Sequence, residues 1–364
     1  MKFLIVLLTI ISISVLGNDK PLRLGVVNLT HSHVGWVFDS QKNGDFVIAG
    51  IVEPNKEVVE KYRKRYGFSP QIVYSSLDEM LDVQKPEAVA AFGPIYDHLM
   101  IVQKCAPLGI HVMVEKPLAV SLKHARKMEA LAKKHQIHLF TNYETTWYPS
   151  HDKMMEMIEA KAVGEVKKVV VRDGHKGPKK INVPNEFFEW LTDPVLNGGG
   201  AITDFGCYGA NLMTWIMRGE RPLSVTASLQ QLQKEIYPKV DDDATVILTY
   251  KNANAILQPS WSWPIGRKDM EVYGETGALF ADNRNHLRYR KVQGYDGFEE
   301  SKFDLPELKP PFNDPFSLFA KVIKGEVVLE DYDLSSLENN MLVMEILDAA
   351  IRSAKKGKTI HFRN

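Results

Sequence analysis

The first half of the chain alternates short apolar runs with helical patterns. Leu22–Val27, Phe46–Val52 and residues 88–92, 111–114 and 137–141 are nearly continuous apolar runs, with a short extended pair at Val73-Tyr74. Such runs mark strands covered on both faces. Between them, residues 36–42, Lys56–Tyr66, 76–81 and 98–108 read as helix. A further helix opens at Ser121, with Ala125, Met128, Leu131 and Ala132 on one face and lysines on the other. Strands alternating with helices mean βαβ units and a parallel sheet. The pattern predicts a doubly wound α/β domain over residues 20–145.

Beyond residue 145 the period changes. Residues 166–171, 223–229, 244–250, 255–262, 269–272 and 278–281 are strand-like, mostly with alternating apolar and polar positions. Short turns join several of them, which predicts an open, largely antiparallel sheet. One helix is expected over residues 201–217, led by Gly198-Gly199-Gly200. This makes an α+β domain over residues 146–315. Two last helices, near 316–323 and 337–355, are expected to return to the first domain within residues 316–364.

Composition narrows the partners. The 364 residues carry 45 Lys+Arg against 45 Asp+Glu, with no basic tract, which argues against nucleic acid. Residues 1–17 differ from the rest: one lysine, then an apolar stretch ending in small residues. It is short for a membrane span, which needs about 20 apolar residues. A cleaved secretory signal, export to the periplasm or medium, and no stable membrane anchor are the expectation. Cys105 and Cys207 fall in different units and are expected as free thiols.

The candidate chemistry sits at strand ends, where open α/β sheets bind ligands. Glu115-Lys116-Pro117 follows the strand at 111–114, and Pro94-x-x-x-His98 follows the strand before it. The turn after the first strand is Asn28-Leu-Thr30-His31-Ser32-His33, and the second strand ends at Glu53. About eighty residues after Lys116 comes Gly198-Gly-Gly-Ala-Ile-Thr-Asp204-Phe-Gly-Cys-Tyr208.

In order, spacing and sheet context these motifs resemble the Gfo/Idh/MocA oxidoreductases. The resemblance implies a Rossmann domain with an open-sheet partner domain, and action on sugars or cyclitols with NAD or NADP. Lys116 matches the family's site lysine and Asp204 the aspartate of its second motif. Tyr208 falls where many members have histidine, and the tyrosine form resembles the branch containing glucose-fructose oxidoreductase and dihydrodiol dehydrogenase. The resemblance implies hydride transfer, with Tyr208 as acid/base, Lys116 lowering its pKa, and Asp204 holding Lys116 charged. Asn28, Thr30, His31, Ser32, His33, Glu53, Pro94, His98, Glu115 and Lys116 would line the cofactor, and Glu53 at the ribose favours NAD over NADP. A homo-oligomer is expected by the same analogy.

The first turn departs from G-x-G-x-x-G. Asn28 can take the left-handed turn, and Thr30 and Ser32 can bond phosphate. His31 and His33 lack a third local ligand, so no metal site is expected. Trp147, Asp173, His175 and Trp190 are the candidate substrate contacts. The leading reading is an exported NAD-dependent oxidoreductase acting on a sugar, glycoside or cyclitol. A redox-neutral glycosidase or epimerase using transient oxidation is the alternative, and a sugar-binding protein that has lost NAD is the third.

Overall fold

A computed structural model describes residues 20–362. The expected signal segment therefore lies outside the described residues. Six strands form a parallel sheet: β1 (Leu22–Val27), β2 (Phe46–Val52), β3 (Val73–Tyr74), β4 (Ala88–Ala91), β5 (His111–Glu115) and β6 (Leu139–Asn142). Their order is β3-β2-β1-β4-β5-β6, the doubly wound Rossmann arrangement. The order reverses between β1 and β4, so their carboxyl ends flank a crevice. α1 (Val34–Ser40), α2 (Lys56–Tyr66), α3 (Leu77–Gln84), α4 (His98–Cys105) and α5 (Leu122–His135) are the crossovers. Local signals set their ends. The Asn55 side chain accepts from Glu57 and Val58 N–H, Ser121 accepts from His124 N–H, and left-handed Gly67 and Gln136 close α2 and α5.

α6 (Pro149–Glu159) leads into the second unit. Its sheet has nine strands: β7 (Val166–Gly174), β8 (Ser224–Gln230), β9 (Asp243–Thr249), β10 (Asn254–Ser260), β11 (Arg267–Gly274), β12 (Gly277–Ala281), β13 (His286–Gln293), β14 (Gly297–Asp304) and β15 (Ile360–His361). The order β14-β13-β12-β11-β7-β10-β9-β8-β15 is open at both ends. Every pairing is antiparallel except β7 with β10. The hairpin of β13 and β14 was not expected. Its strands read HLRYRKVQ and GFEESKFD and are mostly exposed, so they lack the apolar alternation that marks a covered face.

α7 (Asn185–Leu191) lies in the connection after β7. The helix expected over 201–217 is broken at Phe205 into α8 (Ala201–Asp204) and α9 (Gly206–Ile216). α10 (Pro315–Ile323) packs on the first sheet, with Phe316 against Phe46 and Phe92 and Phe319 against Phe140. α11 (Leu337–Lys356) departs from the expected return to the first domain. It lies mainly along β8 and α9, and touches α5 and β6. It thereby ties the two units together.

Candidate active site

The Gly198-Gly199-Gly200 run sets Asp204 in place. Gly198 has φ +85°, and a Cβ there would lie 2.6 Å from the Val120 carbonyl. A Cβ on Gly200 would lie 1.7 Å from the Asp241 carbonyl. Only glycine lets this backbone pass between the two. Asp241 then accepts from the N–H groups of Gly200 and Ile202 at 2.9 and 2.7 Å, fixing the start of α8.

Asp204 ends α8 facing the strand end of β5. Lys116 Nζ donates to Asp204 Oδ1 at 2.5 Å and to its main-chain oxygen at 2.8 Å. Trp261 Nε1 donates to Asp204 Oδ2 at 2.9 Å. Burial works against both charges, yet each partner holds the other: Asp204 is kept below the usual carboxylate range and Lys116 above the usual lysine range. An ammonium has three N–H donors. Two are spent on Asp204, which leaves one for a ligand oxygen.

Tyr208 lies one turn beyond Asp204, and its ring sits under two ammonium groups. Lys116 Nζ is 5.0 Å and Lys268 Nζ 5.2 Å from the ring centroid. The expected lowering of the phenol by Lys116 is not present. Lys116 meets the face of the ring and spends itself on Asp204, and burial pushes the phenol well above its ordinary value. His175 packs edge-on against Phe205. Its Nδ1 accepts from Gly177 N–H at 2.9 Å, and burial lowers it.

Lys268 and Glu144 belong to the same cluster and were missed in the sequence. Lys268 lies opposite Asp173 across the β7–β11 pair. It bonds Glu144, which also accepts from Tyr148 Oη at 2.6 Å. Burial opposes the charge of Glu144, but Lys268 and His33 hold it at about 2. Asp173 is buried with Oδ1 unpartnered, and burial raises its carboxyl well above the usual range. No local motif marks Lys268: it is one charge within Arg267-Lys268-Asp269.

The expected cofactor residues divide. Asn28 has φ +62°, as its place in the turn requires. Glu53 is buried, and its two oxygens accept from the Leu29 and Asn55 N–H groups at 3.0 and 2.9 Å. The N–H groups of Thr30 and His31 both go to the Phe92 carbonyl, and Ser32 stands exposed. Pro94 lies half-buried beside this crevice. His98 is buried, with Nδ1 3.1 Å from the Leu118 carbonyl and Nε2 unpartnered. Glu115 is gripped by Asn142 and His33 at 2.9 and 3.0 Å.

Two expected substrate contacts lie elsewhere. Trp147 donates to Asn142 Oδ1 at 3.1 Å and so buttresses Glu115. Trp190, on α7, donates to Thr30 Oγ1 at 3.1 Å, beside the first turn. Phe187 joins it there, its ring 4.8 Å from His31, and Lys61 clamps Glu186 at 2.5 Å.

Residues 24–143 match the model of the oxidoreductase family with an NAD-binding Rossmann fold. Residues 151–280 match the Gfo/Idh/MocA C-terminal domain. Fold and site thus define an oxidoreductase built around an NAD-binding Rossmann domain. The chain belongs to the Gfo/Idh/MocA family. It is 25% identical over 271 residues to trans-1,2-dihydrobenzene-1,2-diol dehydrogenase of Xenopus laevis, covering 72% of this chain and 76% of that one. It is 24% identical over 312 residues to myo-inositol 2-dehydrogenase of Thermotoga maritima, covering 84% and 89%. Its fold is similar to aldose-aldose oxidoreductase from Caulobacter crescentus, with a TM-score of 0.77 and 20% identity over 94% of this chain and 100% of that one.

NAD is the cofactor of this domain class. The residues fit it at the ribose end, where each Glu53 oxygen keeps a lone pair, and at the reacting end, where Lys116 keeps a donor. The turn between these ends is covered by Trp190 and Phe187 of α7.

Proposed function

We propose that this chain is an exported oxidoreductase that moves a hydride between NAD and a carbinol carbon of a sugar, glycoside or cyclitol. The observation that carries this reading is the buried Lys116–Asp204 pair, set where the strand ends of the Rossmann sheet meet the second sheet. The names of the two relatives, dehydrogenases of a ring diol and of myo-inositol, support a ring with neighbouring hydroxyls. Bound NAD supplies the hydride acceptor or donor. Lys116 gives its remaining N–H to the reacting oxygen. Asp204, anchored by Trp261, keeps that ammonium charged and aimed. The donor-rich cluster stabilises the oxyanion left when the carbonyl carbon takes the hydride, and that oxygen takes its proton from the Lys116 ammonium; in the oxidising direction the Lys116 amine takes the hydroxyl proton, while Tyr208 stays neutral. In this reading Asp173 and Glu144 bind neighbouring hydroxyls, and Trp190 of α7, bonded to Thr30, gives way at the first turn as NAD enters.

The test is direct. The protein, stripped of bound nucleotide, is titrated with NAD and NADP by calorimetry, then assayed by nicotinamide absorbance on inositols, aldoses and glycosides. NAD binding with turnover on one of these classes is expected. Failure of both nucleotides to bind would sink the reading.

One observation favours the redox-neutral alternative. Burial pushes the unpartnered Asp173 carboxyl well above the usual carboxylate range while Lys268 and His33 keep Glu144 well below it, and such a split suits acid and base roles. A neutral Asp173 could protonate a leaving glycosidic oxygen. Sugar release from a glycoside with only catalytic NAD, and no net NADH, would select it. Export rests on the composition of residues 1–17, and the intact mass of protein from its native host tests it.

A further inference from the structure

The sequence offered two histidines in the first turn and no third ligand beside them. The fold supplies one. His31 and His33 leave the carboxyl end of β1, and Glu115 ends β5; both strands pair with β4. One nitrogen of each imidazole and one oxygen of Glu115 lie within 4.8 Å of one another. Glu115 Oε2 is 3.8 Å from His31 Nδ1 and 3.0 Å from His33 Nδ1. A tetrahedral ion with bonds of about 2.1 Å holds its ligand atoms about 3.4 Å apart. These two separations straddle that value, and the one between the two imidazoles lies within 4.8 Å.

The surroundings orient these groups. Asn142 Nδ2 donates to Glu115 Oε1 at 2.9 Å, which turns Oε2 toward the imidazoles. Trp147 fixes the Asn142 amide through its Oδ1. Trp36 stacks on the His33 ring, with centroids 3.9 Å apart and planes at 13°. Ligating carboxylates are themselves held by such outer hydrogen bonds. Among the described residues, the only cationic or imidazole partners within ion-pair distance of Glu115 are these two histidines. The contact that ligation through His31 Nδ1 displaces is its hydrogen bond from His33 N–H, at 3.1 Å.

We propose that His31, His33 and Glu115 bind one divalent transition-metal ion, with zinc the first choice and iron(II) or manganese(II) the competitors. Two imidazoles and a carboxylate, with no thiolate, suit these ions better than calcium or magnesium. Three protein ligands leave a coordination position for water or for a hydroxyl or carbonyl oxygen of the substrate. The proposal does not rest on the dinucleotide reading.

The experiment uses the full chain, purified without a histidine tag or chelator. Elemental analysis of this protein should find about one equivalent of a transition metal per chain. After chelation and dialysis, calorimetric titration with zinc should restore one site and raise the melting temperature. His31→Ala and His33→Gln should each abolish stoichiometric binding. Asn142→Ala should weaken it on the order of 10–100-fold, the usual cost of losing an outer hydrogen bond. The stacked His111 and His138 rings, 5.0 Å apart, are the control, and His111→Ala should bind as before. Should His31→Ala not fold, His33→Gln carries the same test, because His33 is the less buried of the two. Less than about 0.1 equivalent of metal, both as purified and after zinc addition, overturns the proposal. So does undiminished binding by a folded variant lacking both histidines. NAD titration of the same stripped sample reads the other question separately. NAD bound by a protein that takes no metal overturns the metal site alone. Metal bound by a protein that takes no NAD upholds the site and counts against the oxidoreductase reading.

Discussion

Lys116 Nζ lies 2.5 Å from Asp204 Oδ1, with both side chains 6% exposed. Two charges so placed are stable only together. Lys116→Ala strands a buried carboxylate, which should cost about 3–5 kcal/mol. Urea denaturation measures this, and a variant as stable as the parent would refute the pairing. Because the folded state depresses Asp204, its contribution is in place at neutral pH and is lost as pH falls below the ordinary carboxylate range. The same substitution removes the free donor and should lower turnover on the order of 10²–10³.

Tyr208→Phe separates a base from a supporting ring. The phenol is neutral at ordinary pH, and both ammonium groups face the ring, which phenylalanine keeps. Turnover should fall by about tenfold or less, below the 10²–10⁴ expected for loss of a positioned acid/base. Tyr208→Leu, which removes the ring, should lower the melting temperature as well. A loss of 10³ or more in Tyr208→Phe would restore the tyrosine as the proton-transfer group.

Asp173 gives a pH signature of opposite sign to that of Asp204. Its carboxyl is raised in the folded chain, so the native state binds more protons than the unfolded one above the ordinary aspartate value. Stability contributed by this group is present in acid and declines as pH rises from there. Asp173→Asn should raise the melting temperature at neutral pH and flatten its pH dependence. Melts from pH 4 to 8 that run parallel in the two proteins would contradict it.

Trp190 covers the first turn with a hydrogen bond to Thr30, and its neighbour Phe187 packs on His31. If this cover must lift before the dinucleotide enters, apparent affinity is reduced by the closed fraction. Trp190→Ala should then tighten NAD binding by about tenfold, read by calorimetry. Weaker binding in this variant would make Trp190 part of the cofactor site instead.

Much of the architecture was legible along the chain. The apolar runs at Leu22–Val27 and Phe46–Val52 and the turns after them follow from local pattern, because a strand covered on both faces must be apolar throughout. The β13–β14 hairpin and the break at Phe205 were not legible. The hairpin buries little, and no proline marks Phe205, where α8 ends with φ −114°.

The site divides in the same way. Lys116, Asp204 and Tyr208 were named from the motifs that carry the family resemblance, whose order and spacing are written in the chain itself. What each does was decided by groups far along the chain: Trp261 on Asp204, Lys268 over Tyr208, Glu115 beside His31 and His33, and Trp190 on Thr30. A sequence specifies side chains and the ends of elements. The dielectric around a charge, and the partner that meets it, arise only when two sheets close over the same few ångströms.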